Sequence, residues 1–317
     1  MTHMRIPHLA GTPLKTDQST EVNPMSQLLG VLEQGFIYAI LALGVYITFK
    51  ILDFPDMSVD STFPLGAAVT ALMISSGVSP LLTLPASMAV GALAGAVTGI
   101  IHVKLRVRDL LSGIIVMTGL YSINLHIAGR SNVQLFSFDT IFKNPLIDTL
   151  PAGIKPYVPV ILLAALALLC KVLMDLYLAT RSGFLLRATG DNPTLVATLA
   201  KDSGKVKILG LAIANALVAL SGCIMCQYQR YFDVSMGTGT LVLAVASVIV
   251  GTQLLRGLRF LRATTAVLMG SVLYKGCVAL ALGMGLSPFD MKLVTAALLL
   301  LIIVAGGHHR KKARRHA

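Results

Sequence analysis

The sequence has 317 residues, of which 55% are hydrophobic and only 13% are charged. Because soluble domains carry roughly 25% charged residues, this composition excludes an ordinary soluble protein and indicates an integral membrane protein. The net charge of +12 does not indicate a nucleic-acid-binding protein, since the basic residues cluster between apolar runs and form no groove with interleaved aromatic residues.

The first 24 residues are polar and irregular, and they contain no apolar segment of the kind found in signal peptides. Met25 opens a stretch that runs directly into the first apolar segment. We expect residues 1–24 to be an irregular extension, either because translation starts at Met25 or because these residues form a mobile, disordered tail.

A helix that spans a bilayer needs about 20 largely apolar residues. Eight runs meet this requirement: 28–49, 80–101, 109–129, 157–179, 208–227, 237–255, 263–285 and 290–306. A weaker candidate at 57–76 contains Asp60 and Pro64, and it predicts either a broken crossing or a partly re-entrant segment. The predicted fold is therefore all-α, a polytopic transmembrane helical bundle of eight or nine spans. It forms one domain over residues 25–306 and is followed by a basic tail at 307–317.

The basic residues predict the orientation of the bundle. One set of alternating loops carries four basic clusters: residues 104–108, 181–207, 256–262 and 310–315. The opposite loops carry only Arg130, Lys143, Lys155 and Arg230. Because Lys and Arg are retained in cytoplasmic loops, the first set and the C-terminal tail are predicted to be cytoplasmic, with the N-terminus outside.

The stretch from Arg181 to Lys207 is a polar interlude between two apolar runs. Asn192 is a good N-cap, Pro193 occupies the first helical position, and Gly204 supplies a stop signal. These residues predict a short helix over about 192–203 on the cytoplasmic side, exposed for docking by another protein.

The sequence contains no motif typical of an enzyme. The only approximation to a phosphate-binding loop has Leu199 where the first glycine belongs and Val206 where the hydroxyl residue belongs. No metalloprotease, hydrolase or metal-binding motif occurs. We therefore predict a protein that is not an enzyme, binds no cofactor or metal of its own, and draws energy for any transport from an ion gradient or another polypeptide.

Several polar residues fall where they are costly in a membrane. Glu33 lies inside the predicted span at 28–49 and Lys275 inside the one at 263–285, where they could form a pair, and Asn124 lies in the span at 109–129. Asp56 and Asp60 follow the first span, and they belong either to a solvated turn or to a gate. Because charges at membrane depth usually face a cavity or each other, all five are candidates for a translocation path or gate.

Three glycines recur at four-residue spacing in the run at 80–101: Gly91, Gly95 and Gly99. Small residues at this spacing allow two helices to approach closely in lipid. The motif predicts either packing inside the chain or the seam between two copies of it.

Two segments resemble one family of transport proteins. Residues 32–69 read LEQGFIYAILALGVYITFKILDFPDMSVDSTFPLGAAV, and residues 183–222 read GFLLRATGDNPTLVATLAKDSGKVKILGLAIANALVALSG. They resemble permease subunits of bacterial ABC importers of the LivH/LivM type, and most closely the subgroup paired with tryptophan- or tyrosine-type substrate-binding proteins. The resemblance extends over most of residues 25–306.

The resemblance implies a permease that carries a small solute, an amino acid and in this subgroup an aromatic one, through the bacterial inner membrane. It implies ABC ATPase subunits that hydrolyse ATP, a periplasmic or lipid-anchored substrate-binding protein and a second permease copy as partners. The residues that would form the coupling loop docked into the ATPase are Gly183, Arg187, Ala188, Thr189, Asp191, Asn192, Pro193 and Leu199. Branched-chain amino acids, nucleosides and sugars are the other substrates considered. An ion-coupled secondary transporter is the alternative function, and it would give Glu33 and Lys275 the central role.

Overall fold

The computed structural model describes residues 24–149, 151, 153–192, 196, 202–255, 262–284, 293, 295–297 and 300. The predicted extension at 1–24 (except residue 24) and the predicted tail at 307–317 lie outside the described residues. So does most of the last predicted span at 290–306.

Helices account for most of the described chain. In chain order the elements are α1 (Pro24–Val45), which continues into a π-helical turn (Tyr46–Ile51), α2 (Val59–Ser75), α3 (Thr83–Lys104), α4 (Asp109–Ala128), β1 (Asn132–Gln134), α5 (Pro145–Asp148), a 3-10 turn (Lys155–Tyr157), α6 (Val158–Leu178), α7 (Arg181–Asp191), α8 (Ser203–Gln229), β2 (Tyr231–Asp233), a 3-10 turn (Val234–Gly237), α9 (Thr240–Leu254) and α10 (Ala263–Gly283). Seven helical segments of the described residues are long and apolar enough to cross a membrane, and α2 is a shorter apolar helix.

The two ends of the bundle differ in structure and charge. At one end, which we call the strand end, β1 pairs with β2 in antiparallel register, with Val133 opposite Phe232. The other end, which we call the basic end, carries the turn between α3 and α4 and the whole of α7. Exposed basic residues gather there: Lys50, Lys104, Arg106, Arg108, Arg181, Arg187 and Lys205.

The centre of the bundle is α8, of whose apolar stretch 78% is buried inside the chain. The most extensive contact between two helices joins α8 to α3, which runs antiparallel to it. Three glycines of α3 face the α8 backbone in this contact: Gly91, Gly95 and Gly99. A Cβ atom at Gly95 would lie 2.7 Å from the carbonyl carbon of Leu211, so only glycine permits this approach. The glycine motif therefore packs inside the chain, one of its two predicted roles.

A broken crossing joins α1 to α3. Residues 52–58 are not helical, yet Leu52, Phe54, Asp56 and Ser58 are all buried. From there α2 runs to the strand end, where Ile74 packs in one cluster with Leu135. Seventeen helical residues span about 25 Å, which is less than the bilayer core of about 30 Å, and the buried connector supplies the rest. The segment at 57–76 thus crosses the bundle, and its irregular backbone is enclosed by protein.

The polar interlude contains a helix that was not predicted from the sequence. A helix, α7, occupies Arg181–Asp191, ahead of the predicted helix at 192–203, most of which lies outside the described residues. The prediction that Gly204 ends a helix is wrong, because Gly204 lies in the first turn of α8. The Asp202 carboxylate accepts hydrogen bonds from the Gly204 and Lys205 N–H groups at 3.0 and 3.2 Å, which makes this position a helix start.

Candidate functional site

The helix α7 lies on the surface of the basic end with one face buried. Its N-cap is Thr180, whose hydroxyl accepts a hydrogen bond from the Gly183 N–H at 3.2 Å. Three residues at helical spacing form the buried face: Gly183, Leu186 and Thr189. The opposite face exposes Arg181, Phe184, Arg187 and Asp191, and Phe184 is 61% exposed. An exposed aromatic ring among exposed charges is typical of a protein–protein contact surface.

Close backbone contacts couple α7 to the transmembrane helices. Gly190 packs directly on the Ile51 carbonyl at the end of the π-helical turn, and a Cβ there would also lie 3.2 Å from the Cα of Leu52. At Gly210 of α8, a Cβ would lie 2.9 Å from a methyl group of Leu52 and would also meet Leu186. Because such packed contacts are stiff, a displacement of α7 is transmitted to α1 and α8.

The predicted coupling residues divide between the two faces of α7. Arg187, Asp191 and Asn192 are exposed, and Ala188 is half-buried. Gly183 and Thr189 lie on the buried face, because Gly183 contacts the end of α6 and the Thr189 hydroxyl donates to the Leu185 carbonyl at 2.7 Å. These two residues pack α7 against the rest of the chain and do not form its outer surface. Pro193 and Leu199 lie outside the described residues.

A fully buried polar cluster attaches residues 52–58, the connector that precedes α2, to the helix α8. The Asp56 carboxylate accepts from the Ser58 hydroxyl at 2.6 Å, from the Ser58 N–H at 2.9 Å and from the Asn215 side-chain amide at 2.8 Å. All three residues are 0% exposed. Three donors satisfy the carboxylate, which offsets much of the cost of burying it.

Asp60 caps a helix that comes much later in the chain. Its carboxylate accepts from the Gly239 N–H at 3.0 Å, from the Leu241 N–H at 2.8 Å and from the Thr240 hydroxyl at 3.1 Å. Gly239 has a positive φ of 86° and no side chain that could cap α9 itself. Asp60 therefore supplies the negative charge that the N-terminus of α9 favours.

Asn124 completes a set of three attachments around the start of α2. Its buried side-chain amide donates to the Ser61 carbonyl at 2.9 Å, while its Oδ1 atom has no partner among the described residues. Asp56, Asp60 and Asn124 were predicted together as a path or gate. In the structure, they tie the first turn of α2 and its connector to α8, α9 and α4.

Glu33 and Lys275 do not pair with each other. Glu33 accepts a 2.6 Å hydrogen bond from the hydroxyl of Tyr228. The Lys275 ammonium donates to Oε1 of Gln34 at 3.2 Å and lies 4.0 Å from the centre of the Tyr38 ring, in a cation–π contact. Lys275 and Gln34 also line a cavity of about 330 Å³ between α1 and α10.

The sequence prediction missed an ionic network at the basic end. Asp175 of α6 lies 2.9 Å from the Lys171 ammonium and 3.2 Å from the Arg262 guanidinium, and it accepts a 2.5 Å hydrogen bond from the Thr264 hydroxyl. The network ties the end of α6 to the start of α10. Lys171 and Asp175, opposite charges four residues apart inside an apolar run, were the available signal.

Comparison with known proteins identifies relatives along most of the chain. Residues 27–304 match the family described as branched-chain amino acid transport system / permease component. The chain is 44% identical over 272 residues to a tyrosine transport system permease protein of Clostridioides difficile, covering 86% of this chain and 88% of that protein. It is 28% identical over 241 residues to the ribose import permease protein RbsC of Escherichia coli K12, covering 74% and 71%. The probable branched-chain amino acid transport permease protein LivH of Methanocaldococcus jannaschii is 26% identical over 244 residues, with 72% and 75% covered.

Proposed function

The chain belongs to the family of branched-chain amino acid transport permease components, and from this premise we propose that it forms the translocation path of an importer for an aromatic amino acid. It is the membrane subunit of an ABC transporter. ATP is hydrolysed by separate ATPase subunits, and a substrate-binding protein delivers the solute to the strand end.

The observation that carries the proposal is the exposed face of α7. Arg181, Phe184, Arg187 and Asp191 present charge and an aromatic ring to the surface, while the opposite face is seated on α1 and α8 through Gly190 and Gly210. A partner that binds the outer face of α7 can therefore move α1 and α8, because the inner face of α7 packs directly against them. Rocking of rigid helix groups is the general route to alternating access.

The substrate is inferred from the relative that is 44% identical, which is a tyrosine transport permease. More distant relatives carry the names of ribose and branched-chain amino acid permeases, so the scaffold accommodates different solutes. At 26–28% identity, these two relatives give stronger support for the fold and the transport role of the chain than for the identity of its solute. Tyrosine is therefore the first solute to test.

The basic end is proposed to face the cytoplasm of a bacterium, with the chain in its inner membrane. The support is the distribution of charge, since exposed Lys and Arg residues gather at this end of the described bundle. This orientation exposes α7 to cytoplasmic ATPase subunits and the strand end to the substrate-binding protein. A second permease copy completes the proposed complex.

The proposal is tested by reconstituting the full chain in proteoliposomes with its ATPase and binding protein and measuring ATP-dependent uptake of labelled tyrosine. The paired charge reversal R187E/D191R is expected to lower uptake at least about tenfold, because two charges on the docking face are inverted. Folding should be unaffected, since both side chains are exposed and neither forms an ion pair among the described residues.

The matched control is Lys104→Glu, a charge reversal at an exposed position of the basic end that lies outside α7. It should leave uptake within about twofold of the unmodified protein. Equal losses in both variants would argue against a docking role for α7. Uptake by the chain alone, driven by an ion gradient without an ATPase, would overturn the function itself.

A further inference from the structure

A concave basic pocket lies at the basic end, apart from the exposed face of α7. It has a volume of about 490 Å³ and lies where the end of α3, the start of α4 and the start of α8 meet. The residues that line it are His102, Val103, Arg106, Val107, Arg108, Asp202, Ser203, Gly204 and Lys207. Pockets of about 300–1,000 Å³ are the size that holds small ligands.

The charge inside the pocket is strongly positive. Arg106, Arg108 and Lys207 contribute three cations, and among the described residues none of them has a carboxylate within salt-bridge distance. The single acid, Asp202, is already occupied, since it caps the first turn of α8 and lies 3.6 Å from the ammonium of Lys205. The pocket therefore offers an anion three cations that form no ion pair among the described residues.

The wall of the pocket is held in place by its own hydrogen bonds. His102 Nδ1 donates to the Val107 carbonyl at 2.9 Å, since a carbonyl can only accept, and its ring packs edge-to-face on Phe54 at 5.1 Å. Nε2 of the same ring faces the Lys207 ammonium at 3.5 Å. Arg106 adopts a positive φ of 55°, which turns the chain sharply between α3 and α4. This turn brings Arg106 and Arg108 to one cavity instead of extending them along a helix.

Exposed apolar side chains flank the two arginines. Leu105, directly before Arg106, is 68% exposed, and Leu110, two residues after Arg108, is 44% exposed. Leu105 directly follows the last residue of α3, and Leu110 is the second residue of α4. A ligand that combines an anionic group with a hydrocarbon chain can use both features at once, whereas a free anion uses only the first.

We propose that this pocket binds the phosphate-bearing headgroup of an anionic phospholipid, with Arg106, Arg108 and Lys207 around the phosphate and the acyl chains along Leu105 and Leu110. Basic pockets between transmembrane helices on the cytoplasmic side bind such headgroups, and each Lys or Arg near an anionic surface adds to the affinity. A bound lipid bridges α3, α4 and α8 next to the coupling helix. This role does not depend on which solute the protein transports.

The test titrates the detergent-purified full chain with dioleoyl phosphatidylglycerol and counts lipid adducts by native mass spectrometry. The R106Q/R108Q variant is expected to bind the first lipid at least about tenfold more weakly, since two cations are lost. Dioleoyl phosphatidylcholine, which has the same chains and no net charge, should bind the unmodified protein weakly at this site.

The matched control is K50Q/K104Q, which removes two exposed cations of the basic end that lie outside the pocket. Its affinity should stay within about threefold of the unmodified protein. Equal losses in both variants would mean that general surface charge attracts the lipid, and the pocket would be rejected.

Two further measurements complete the test, one with inorganic phosphate and one with the ATPase subunit. Displacement of the lipid by millimolar inorganic phosphate would identify a site for the free anion and overturn the lipid proposal. Unchanged lipid binding by R106Q/R108Q, with loss of the co-purifying ATPase, would assign the pocket to the protein partner instead. Size-exclusion profiles and unfolding midpoints of the variants verify that each binding loss occurs in a folded protein.

Discussion

Asp60 stabilises a helix that begins 180 residues later in the chain. Most helices of soluble proteins are capped by a side chain next to their first turn, but α9 starts after Gly239, which has none. A carboxylate from α2 takes this role and thereby fixes the position of α9 against α2. The same contact explains why an acid is tolerated inside an apolar helix.

Replacing Asp60 by alanine is expected to destabilise the protein by about 1–3 kcal/mol, because the Gly239 and Leu241 N–H groups lose a charged acceptor. The measurement is the equilibrium unfolding curve in mixed detergent micelles with increasing SDS. Asp233 provides the comparison, since it accepts a 2.8 Å hydrogen bond from the Ser235 N–H in an exposed turn.

The Asp233→Ala change should cost less than about 1 kcal/mol, because water replaces the lost partner at an exposed site. Asp233 also titrates differently from an isolated acid, since donation from Ser235 holds its pKa below the usual range. Its small contribution is thus present above the ordinary pKa of Asp and is lost as the pH falls below it. Equal costs for the Asp60 and Asp233 variants would contradict the role of Asp60 as a cap between helices.

At the scale of the helices, the α3–α8 contact determines how closely the core packs. Gly95→Ala is expected to destabilise the fold by about 1–3 kcal/mol, since the added methyl group meets the α8 backbone near Leu211, which cannot rotate away. Gly119 of α4 is the matched control, because a Cβ there meets nothing within 4 Å. Gly119→Ala should be neutral or stabilising by up to about 1 kcal/mol.

Both variants are measured by the same unfolding assay, together with the mass of the protein in detergent by light scattering. A stable Gly95→Ala protein that has lost a dimer would support a seam between copies and contradict the packing seen within the chain. A destabilised variant with unchanged mass would support the internal contact.

The sequence predicted the helices better than it predicted the contacts between them. Spans were assigned within a few residues because hydropathy depends on local composition alone, and α4 began and ended almost where expected. The start of α8 was misassigned because glycine ends helices far more often than it occupies their first turn, and the capping role of Asp202 was overlooked. The helix α7 was missed because its signals, Thr180 and a three-residue apolar period, are weak in a short segment.

The site residues were found by residue type and not by partner. An acid or amide inside an apolar run stands out, so Asp56, Asp60 and Asn124 were selected as unusual positions. Their partners on other helices lie 63 to 181 residues away, and no local pattern encodes such distances. Glu33 and Lys275 were matched by opposite charge, but the neutral partners Tyr228 and Gln34 bind them instead.

At the scale of the whole molecule, the path of α2 sets the orientation of everything before α3. If residues 52–75 cross the bundle, the N-terminus and the turn between α2 and α3 lie on the same side, opposite the turn between α3 and α4. If residues 52–75 re-entered and left the bundle on the side from which they came, the N-terminus would instead lie on the side of the turn between α3 and α4. Gln27, Ser76 and Lys104, all exposed, mark the start of α1 and the two ends of α3.

Single cysteines at these positions test the path directly. Cys277, the exposed one of the four cysteines, is first replaced by serine, while the other three are buried. In intact cells or right-side-out vesicles, a membrane-impermeant maleimide is expected to label Q27C and S76C. K104C should react only after the membrane is permeabilised, because basic clusters remain on the cytoplasmic side.

Three outcomes can be distinguished, and each assigns a different topology. Labelling of Q27C and S76C without K104C in sealed vesicles agrees with a crossing by α2 and with a cytoplasmic α7. Labelling of K104C alone would invert the bundle, and α7 would then face away from any cytoplasmic ATPase. Labelling of S76C with protection of both Q27C and K104C would mean that residues 52–75 re-enter, although Ile51 then could not reach Gly190 of α7, on which it packs. Because α3 separates Ser76 from Lys104 in either case, the labelling of Q27C relative to S76C decides between the two paths.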